Sequence, residues 1–292
     1  MKNIIILGFL IISTGLLAQD DLMKELEQSA KPEIVYAGQT FKGTRIINSQ
    51  TVETKGKGEL EFIFSHRFGK INTGGYTLWG LDNAYIRLGL EYGITDRLGI
   101  SIGRSSYDKT FDSYLRYKVA RQSSGARNFP VTITAIGTAN LKASPSALEN
   151  PAIQMEDRLS YVAQVLIARK FSSKLSAQLM PVFVHRNLVN KLIENNDDYA
   201  LGVGGRYKIT RSLAITGEYF HRLNPAINTP YFNSLGFGLE IETGGHVFQL
   251  VFSNSQGMID RAVVAETDGN FSNGDIHFGF NISRAFQARK KK

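Results

Sequence analysis

Residues 84–103, AYIRLGLEYGITDRLGISIG, set the narrowest limit on how this chain folds. Ala84, Ile86, Leu88, Leu90, Tyr92 and Ile94 share one parity, and Tyr85, Arg87, Gly89, Glu91 and Gly93 share the other. A period of two places successive side chains on opposite faces of a strand, so one face is apolar and the other polar. Thr95-Asp96-Arg97 then turns the chain. Leu98, Ile100 and Ile102 resume the alternation against Gly99, Ser101 and Gly103. The unit is a β-hairpin with a tight turn.

Similar units run from Gly58 to Phe286, and twelve strands are predicted there. Leu60, Phe62, Phe64 and Phe68 oppose Glu59, Glu61 and Arg67 in the first. Ile276, Phe278, Phe280 and Ile282 oppose His277, Asn281 and Ser283 in the last. The fifth is read from Phe129 to Ala139. Short turns follow the second, sixth, eighth and tenth strands, at 95–97, 172–173, 210–211 and 244–245. Long connections follow the first, fifth, seventh, ninth and eleventh, at 69–83, 140–157, 187–197, 223–231 and 254–274. An even number of strands, with short periplasmic turns and longer outer loops, describes an outer-membrane barrel. Two links depart from the pattern: 106–108 is short for an outer loop, and 121–128 is long for a periplasmic turn. Ile94-Thr95-Asp96-Arg97-Leu98 is echoed by Ile209-Thr210-Arg211-Ser212-Leu213, which reads as reused turn chemistry.

The expected fold is therefore all-β, a transmembrane antiparallel up-and-down β-barrel of about twelve strands over residues 58–286. Elsewhere in the chain no apolar run reaches the ~20 residues of a spanning helix, and only helices and closed barrels satisfy the backbone in lipid. Residues 1–18, a basic start followed by a short apolar core ending at Ala18, read as a signal peptide. Residues 20–31 read as a short amphipathic helix stopped by Pro32. Residues 19–57 as a whole are expected to form a periplasmic arm or a plug in the lumen, with the plug slightly favoured. Residues 287–292 form a basic tail.

There is no cysteine, which removes disulfides, thiolate metal sites, a thiol nucleophile and a lipid-carrying cysteine. The formal charge of +8 includes four charges at 289–292. The others alternate along strands and form no single patch. Export makes nucleic acid an unexpected partner. The expected partners are outer-membrane lipid, the barrel-assembly machinery and a periplasmic protein reached through residues 19–57.

Two stretches carry a resemblance to a known family. Phe64-Ser65-His66-Arg67-Phe68-Gly69 and Leu78-Trp79-Gly80-Leu81-Asp82, with the hairpin that follows, resemble the DUF5777 beta-barrel proteins of Bacteroidetes outer membranes. The resemblance spans nearly all of the mature chain. It implies a barrel in the outer membrane of a Gram-negative bacterium, and it brings no activity, cofactor or catalytic residue. The last strand ends in the aromatic Phe286, but residues 287–292 follow it, a departure from the usual free terminal aromatic.

The candidate site is the inward, polar parity. Arg67, Arg87, Arg116, Lys118, Arg206 and Lys208 are expected to face Glu91, Glu218, Glu240 and Glu242, with Arg186, Arg222, Glu59, Glu61 and Asp112 among them. In a wide barrel these charges line a wet, selective channel. In a narrow one they pair and close it, and twelve strands lie between the two cases. His66 is read as a member of the interfacial belt. His185, His221, His246 and His277 lack metal-site spacing. Residues 194–198 and 268–272 are oxygen-rich and read as solvated loops, because the second fails the calcium-loop pattern at its sixth and twelfth places. Small residues on the lumen face account for Gly202-Val203-Gly204-Gly205. No enzyme site and no cofactor is expected. The functional reading is a pore or transport-associated barrel for small solutes. Its alternatives are a closed docking barrel and, last, a lipid-modifying enzyme.

Overall fold

Strict alternation gives a sheet with two unlike faces, and solvent exposure shows where each face went. In the computed structural model, which describes residues 33–144, 150 and 152–288, there are fourteen strands. They are β1 (Ile34–Tyr36), β2 (Glu59–Lys70), β3 (Ala84–Gly93), β4 (Leu98–Ser105), β5 (Phe111–Ala120), β6 (Ser123–Gly125), β7 (Thr132–Leu141), β8 (Leu159–Lys170), β9 (Leu175–Arg186), β10 (Asp197–Lys208), β11 (Leu213–Arg222), β12 (Ser234–Thr243), β13 (His246–Ser253) and β14 (His277–Gln287). All but β1 and β6 close into one twelve-stranded barrel in which each strand pairs with its neighbours in the chain. The seam is β14 against antiparallel β2, with Phe286 opposite Leu60 and Gln287 opposite Glu59. The expected leader, the helix at 20–31 and residues 289–292 of the tail expected at 287–292 lie outside the described residues, while Gln287 ends β14.

The barrel is apolar outside. Leu88 and Leu90 are 43% and 39% exposed, while Arg87 and Glu91 on either side of them are 1% and 0%. Water would reverse that arrangement. A lipid-facing apolar band around a polar lumen requires it. Among the described residues no helix is long and apolar enough to cross a membrane, so the strands are the spanning elements.

Turn chemistry explains one end. Thr95 Oγ1 accepts the Arg97 and Leu98 amides, and Thr210 Oγ1 accepts those of Ser212 and Leu213. Ser172 does the same for Lys174 and Leu175. These are side-chain mimics of a backbone turn, and they account for the echo between the two hairpins. The long link at this turn end is explained by β6, which pairs with β1 in a separate two-stranded sheet. For the same reason the fifth barrel strand starts at Thr132 and not at Phe129. Phe129 instead bridges to Ser123. At the opposite, loop end, the short β4–β5 link folds tightly, with Asp108 and Lys109 at φ 51° and 50°.

Candidate functional site: the filled lumen

The polar parity brings its charges indoors, as pairs along the wall and not as one ring. Arg67, Arg87, Glu91, Arg116, Arg206, Glu218 and Glu240 are buried, and Lys118, Lys208 and Glu242 are partly so. On β3–β5, Arg87 binds Asp112, Glu91 lies 3.2 Å from Arg116, and the Tyr114 hydroxyl donates to Glu91 at 2.7 Å. On β10–β12, Arg206 Nε donates to Glu240 at 2.6 Å, and Glu242 also receives Arg206, with Lys208 at 3.9 Å. Arg67 donates to Asn281 and Asn48 amide oxygens at 3.0 and 2.8 Å. Lys118 faces Glu53 at 3.6 Å.

Asn48 and Glu53 belong to a segment inside the barrel. Residues 40–53 are buried except for Lys42, and 44–51 form a tight hairpin closed by Ile46 N to Ser49 O and Thr51 N to Thr44 O, both 3.0 Å. A backbone surrounded by wall needs hydrogen-bond partners there, and wall side chains supply them. Glu218 accepts the Asn48 and Ser49 amides, each at 2.9 Å, and the Ser49 hydroxyl. Gln178 accepts from Val52 N and donates to Gln50 O. Gln249 and Asn281 donate to the Ile46 and Ile47 carbonyls, both at 2.8 Å. Arg116 caps the Thr51 and Glu53 carbonyls. Ile46 sits against Gly204, where an added Cβ would come within 2.5 Å of its Cδ1. Of the lumen-facing glycines of β10, Gly204 is small because this segment fills the space, and Gly202 because the Phe220 ring does.

A second insertion enters from the loop end. The β13–β14 connection, expected as an outer loop, turns into the lumen as α1 (Asp260–Ala265), every residue of which is buried. Asp260 is where the two insertions meet. It accepts from Arg45 at 3.0 Å and Gln50 at 2.8 Å on the N-terminal segment, and from Gln164 at 2.9 Å on the wall. Val263 and Val264 join Phe41, Ile46, Ile47 and Val52 against inward-facing Val162, Leu166, Met180, Val184 and Phe220 in one apolar core. Strand alternation alone does not reveal this core. The available signal was that β8 and β9 are apolar on both parities, as strands covered on both faces are. The oxygen-rich stretch 194–198, expected as a solvated loop, is solvated only in part. Asp198 is fully buried and binds Arg186 at 2.7 Å and Arg222 at 2.9 Å. Its inward strand position, and not the polarity of the loop, decides its environment.

His66 faces outward among Phe64, Phe68 and Phe280, stacked on Phe280 at 5.1 Å. Gly69 donates its amide to Gly80 O at 2.9 Å. Gly80 has φ +84°, and a Cβ there would lie 2.5 Å from the Gly69 carbonyl carbon. The two family-like stretches are thus the two sides of one strand-to-loop junction, with Trp79 exposed beside it and Asp82 in the same turn. Asp275 receives Asn72 at 2.7 Å and Lys70 at 3.2 Å on the same rim, and these hydrogen bonds, Asn72 first, hold its carboxyl below the usual carboxylate range. Among the described residues no group of His, Asp and Glu could hold a metal ion.

The family described as membrane bound beta barrel domain (DUF5777) matches residues 41–286. The chain belongs to this family. For this DUF5777 protein the match covers the inserted hairpin as well as all twelve wall strands. An even, closed, lipid-facing barrel is the outer-membrane type. Similar solved structures include KdgM porin, at 9% identity and TM-score 0.47, covering 78% of this chain and 99% of that one. An outer membrane channel from Pseudomonas putida F1 is 14% identical with TM-score 0.47, over 80% and 98%. Omp33 of Acinetobacter baumannii is 8% identical with TM-score 0.43, over 79% and 99%. Comparison with curated proteins finds no match.

Proposed function

We propose that this barrel is a gated pore for small solutes, drawn here in its closed arrangement. The observation that carries the reading is how the lumen is filled. Residues 40–53 are held by reversible contacts, hydrogen bonds from wall side chains and from Asp260 together with apolar packing, and no barrel strand pairs with them in a ladder. A segment held in this way can leave without opening the wall. Polar wall groups such as the Arg116 and Glu218 charges and the Gln178 amide would then face water, as a conducting lumen needs. On this reading residues 40–53, within the 19–57 segment expected as arm or plug, are the plug, and it enters from the periplasmic, turn end. The wall charges Arg67, Arg87, Glu91, Arg116, Lys118, Arg206, Lys208, Glu218, Glu240 and Glu242 set selectivity once it departs. The barrel-assembly machinery would insert the chain through its C-terminal strand.

Conductance in planar bilayers tests this. The full chain is expected to give rare, brief openings, and a variant lacking residues 40–53 a larger and steadier current. Inserted, heat-modifiable barrels of both forms that pass no current at any potential would overturn it. The docking alternative is favoured by one feature, the exposed apolar strand Ile34, Val35 and Tyr36 at the turn end. It predicts that deleting residues 19–36 removes a periplasmic partner and leaves conductance unchanged.

A further inference from the structure

Above α1, at the loop end, a cavity of about 540 Å³ lies between Tyr107, Arg158, Arg186, Tyr231, Arg261 and Glu266. That is a volume suited to a small organic ligand. The charged lining is balanced. Lys142, Arg158, Arg186 and Arg261 are matched by Asp108, Asp157, Glu194 and Glu266.

Most of those charges already serve one another. Lys142 meets Asp108 at 3.0 Å, Asp108 meets Arg261 at 3.5 Å, and Arg261 meets Glu266 at 2.6 Å. Glu266 continues to Arg186 at 3.1 Å, and Arg186 to Glu194 at 2.6 Å. An ionic ligand would have to break a link in this chain, and separating a buried pair is expensive. What the chain leaves over is a set of single atoms. Glu266 Oε2, Arg186 Nε and Arg261 Nε are buried without a hydrogen-bond partner, and Glu266 is only 7% exposed. The set is one acceptor and two donors at a closely packed site. Hydroxyl groups, which donate and accept at once, complement such a set. Two phenol rings flank it, and burial raises both, Tyr231 to about 12, so they remain neutral. An aromatic ring with a polar tip offers a face for C–H groups and a hydrogen bond at its edge.

We propose that this vestibule recognises a neutral polyhydroxylated solute of mono- to disaccharide size. The proposal rests on the reading of the barrel as a solute pore, of which the vestibule would be the outer entry. It assigns the solute class from charge balance and from the unpaired atoms.

The test is isothermal titration of the full chain in detergent with maltose, sucrose and lactose as neutral probes, and with glucosamine and galacturonate as a cation and an anion. At least one neutral sugar is expected to bind saturably, with each charged sugar weaker by roughly tenfold or more. Tyr231→Ala is expected to weaken the neutral sugar by roughly tenfold. Tyr76→Ala, on a fully exposed ring of another loop, should leave it unchanged. No binding by any of the three neutral sugars, equal or tighter binding of a charged one, or an unaffected Tyr231→Ala would each overturn the proposal. Equilibrium binding needs no current. A protein that conducts and binds no sugar refutes this inference alone, and one that binds sugar and never conducts refutes the pore.

Discussion

Glu218 holds the plug through three hydrogen bonds, and Glu218→Ala should shift the plug toward release. Its carboxylate accepts two backbone amides at 2.9 Å each, from Asn48 and Ser49, and the Ser49 hydroxyl at 2.5 Å. Hydrogen bonds to a charged acceptor contribute about 1.5–3 kcal/mol apiece. Truncation leaves two amides of the docked hairpin without partners, while water satisfies them once it undocks. Counting only those two at the low end gives about 3 kcal/mol against docking. At ~1.4 kcal/mol per factor of ten, the ratio of undocked to docked plug rises roughly 150-fold. The barrel itself should survive, because its wall closes through antiparallel ladders that do not include the plug. Single-channel recording reads the effect as open probability, with heat-modifiable gel mobility as the control for folding. Glu218→Gln, which keeps one acceptor oxygen, should fall between. If Glu218→Ala inserts as a folded barrel and its open probability matches that of the parent, the hydrogen bonds do not gate the lumen and the reasoning fails.

Gly204→Leu attacks the same contact sterically. Its Cβ would stand 2.5 Å from Ile46 Cδ1, overpacking costs about 1–3 kcal/mol, and accelerated proteolysis of residues 40–53 in folded barrels would report the displaced plug. Leu90→Arg puts a charge on the lipid face between Phe62 and Ile102. Unfolding from vesicles should show a loss of about 2–4 kcal/mol near the midplane, and a neutral result would mean this parity does not face hydrocarbon. Asp275 gives a pH dependence. Its carboxyl is depressed, chiefly by Asn72, so its hold on the rim is complete above the ordinary carboxylate value of ~3.9 and fades as pH falls through the lower folded value. Amide exchange over 270–276, corrected for intrinsic rates, should speed up between about pH 5 and pH 2, and Asp275→Asn should abolish that acid step.

How much of this was legible beforehand differs between wall and lumen. Ile86, Leu88, Leu90 and Tyr92 against Arg87, Gly89 and Glu91 gave the strand, its two faces and the direction of each, because one residue of slip would reverse every side chain. Thr95 and Thr210 marked the turn end through side-chain chemistry local to a few residues. The pairing of Arg206 with Glu240 and of Arg87 with Asp112 required the register of neighbouring strands, which parity alone leaves open. Val162, Met180 and Val184 share the inward parity with Ser160, Gln164 and Gln178. They are its apolar half, and they make sense only beside Ile46 and Val263.

Parity and turn spacing alone determined that this chain closes into a lipid-facing barrel, because alternation is a short-range property and a backbone in hydrocarbon has so few other solutions. What occupies the barrel was decided only in three dimensions. Residues 40–53 and 254–267 carry no period of their own, and Arg45 meets Asp260 across 215 positions of sequence. Such contacts depend on which side chains the closed wall turns inward at each height, and that is fixed only when the last strand has joined the first.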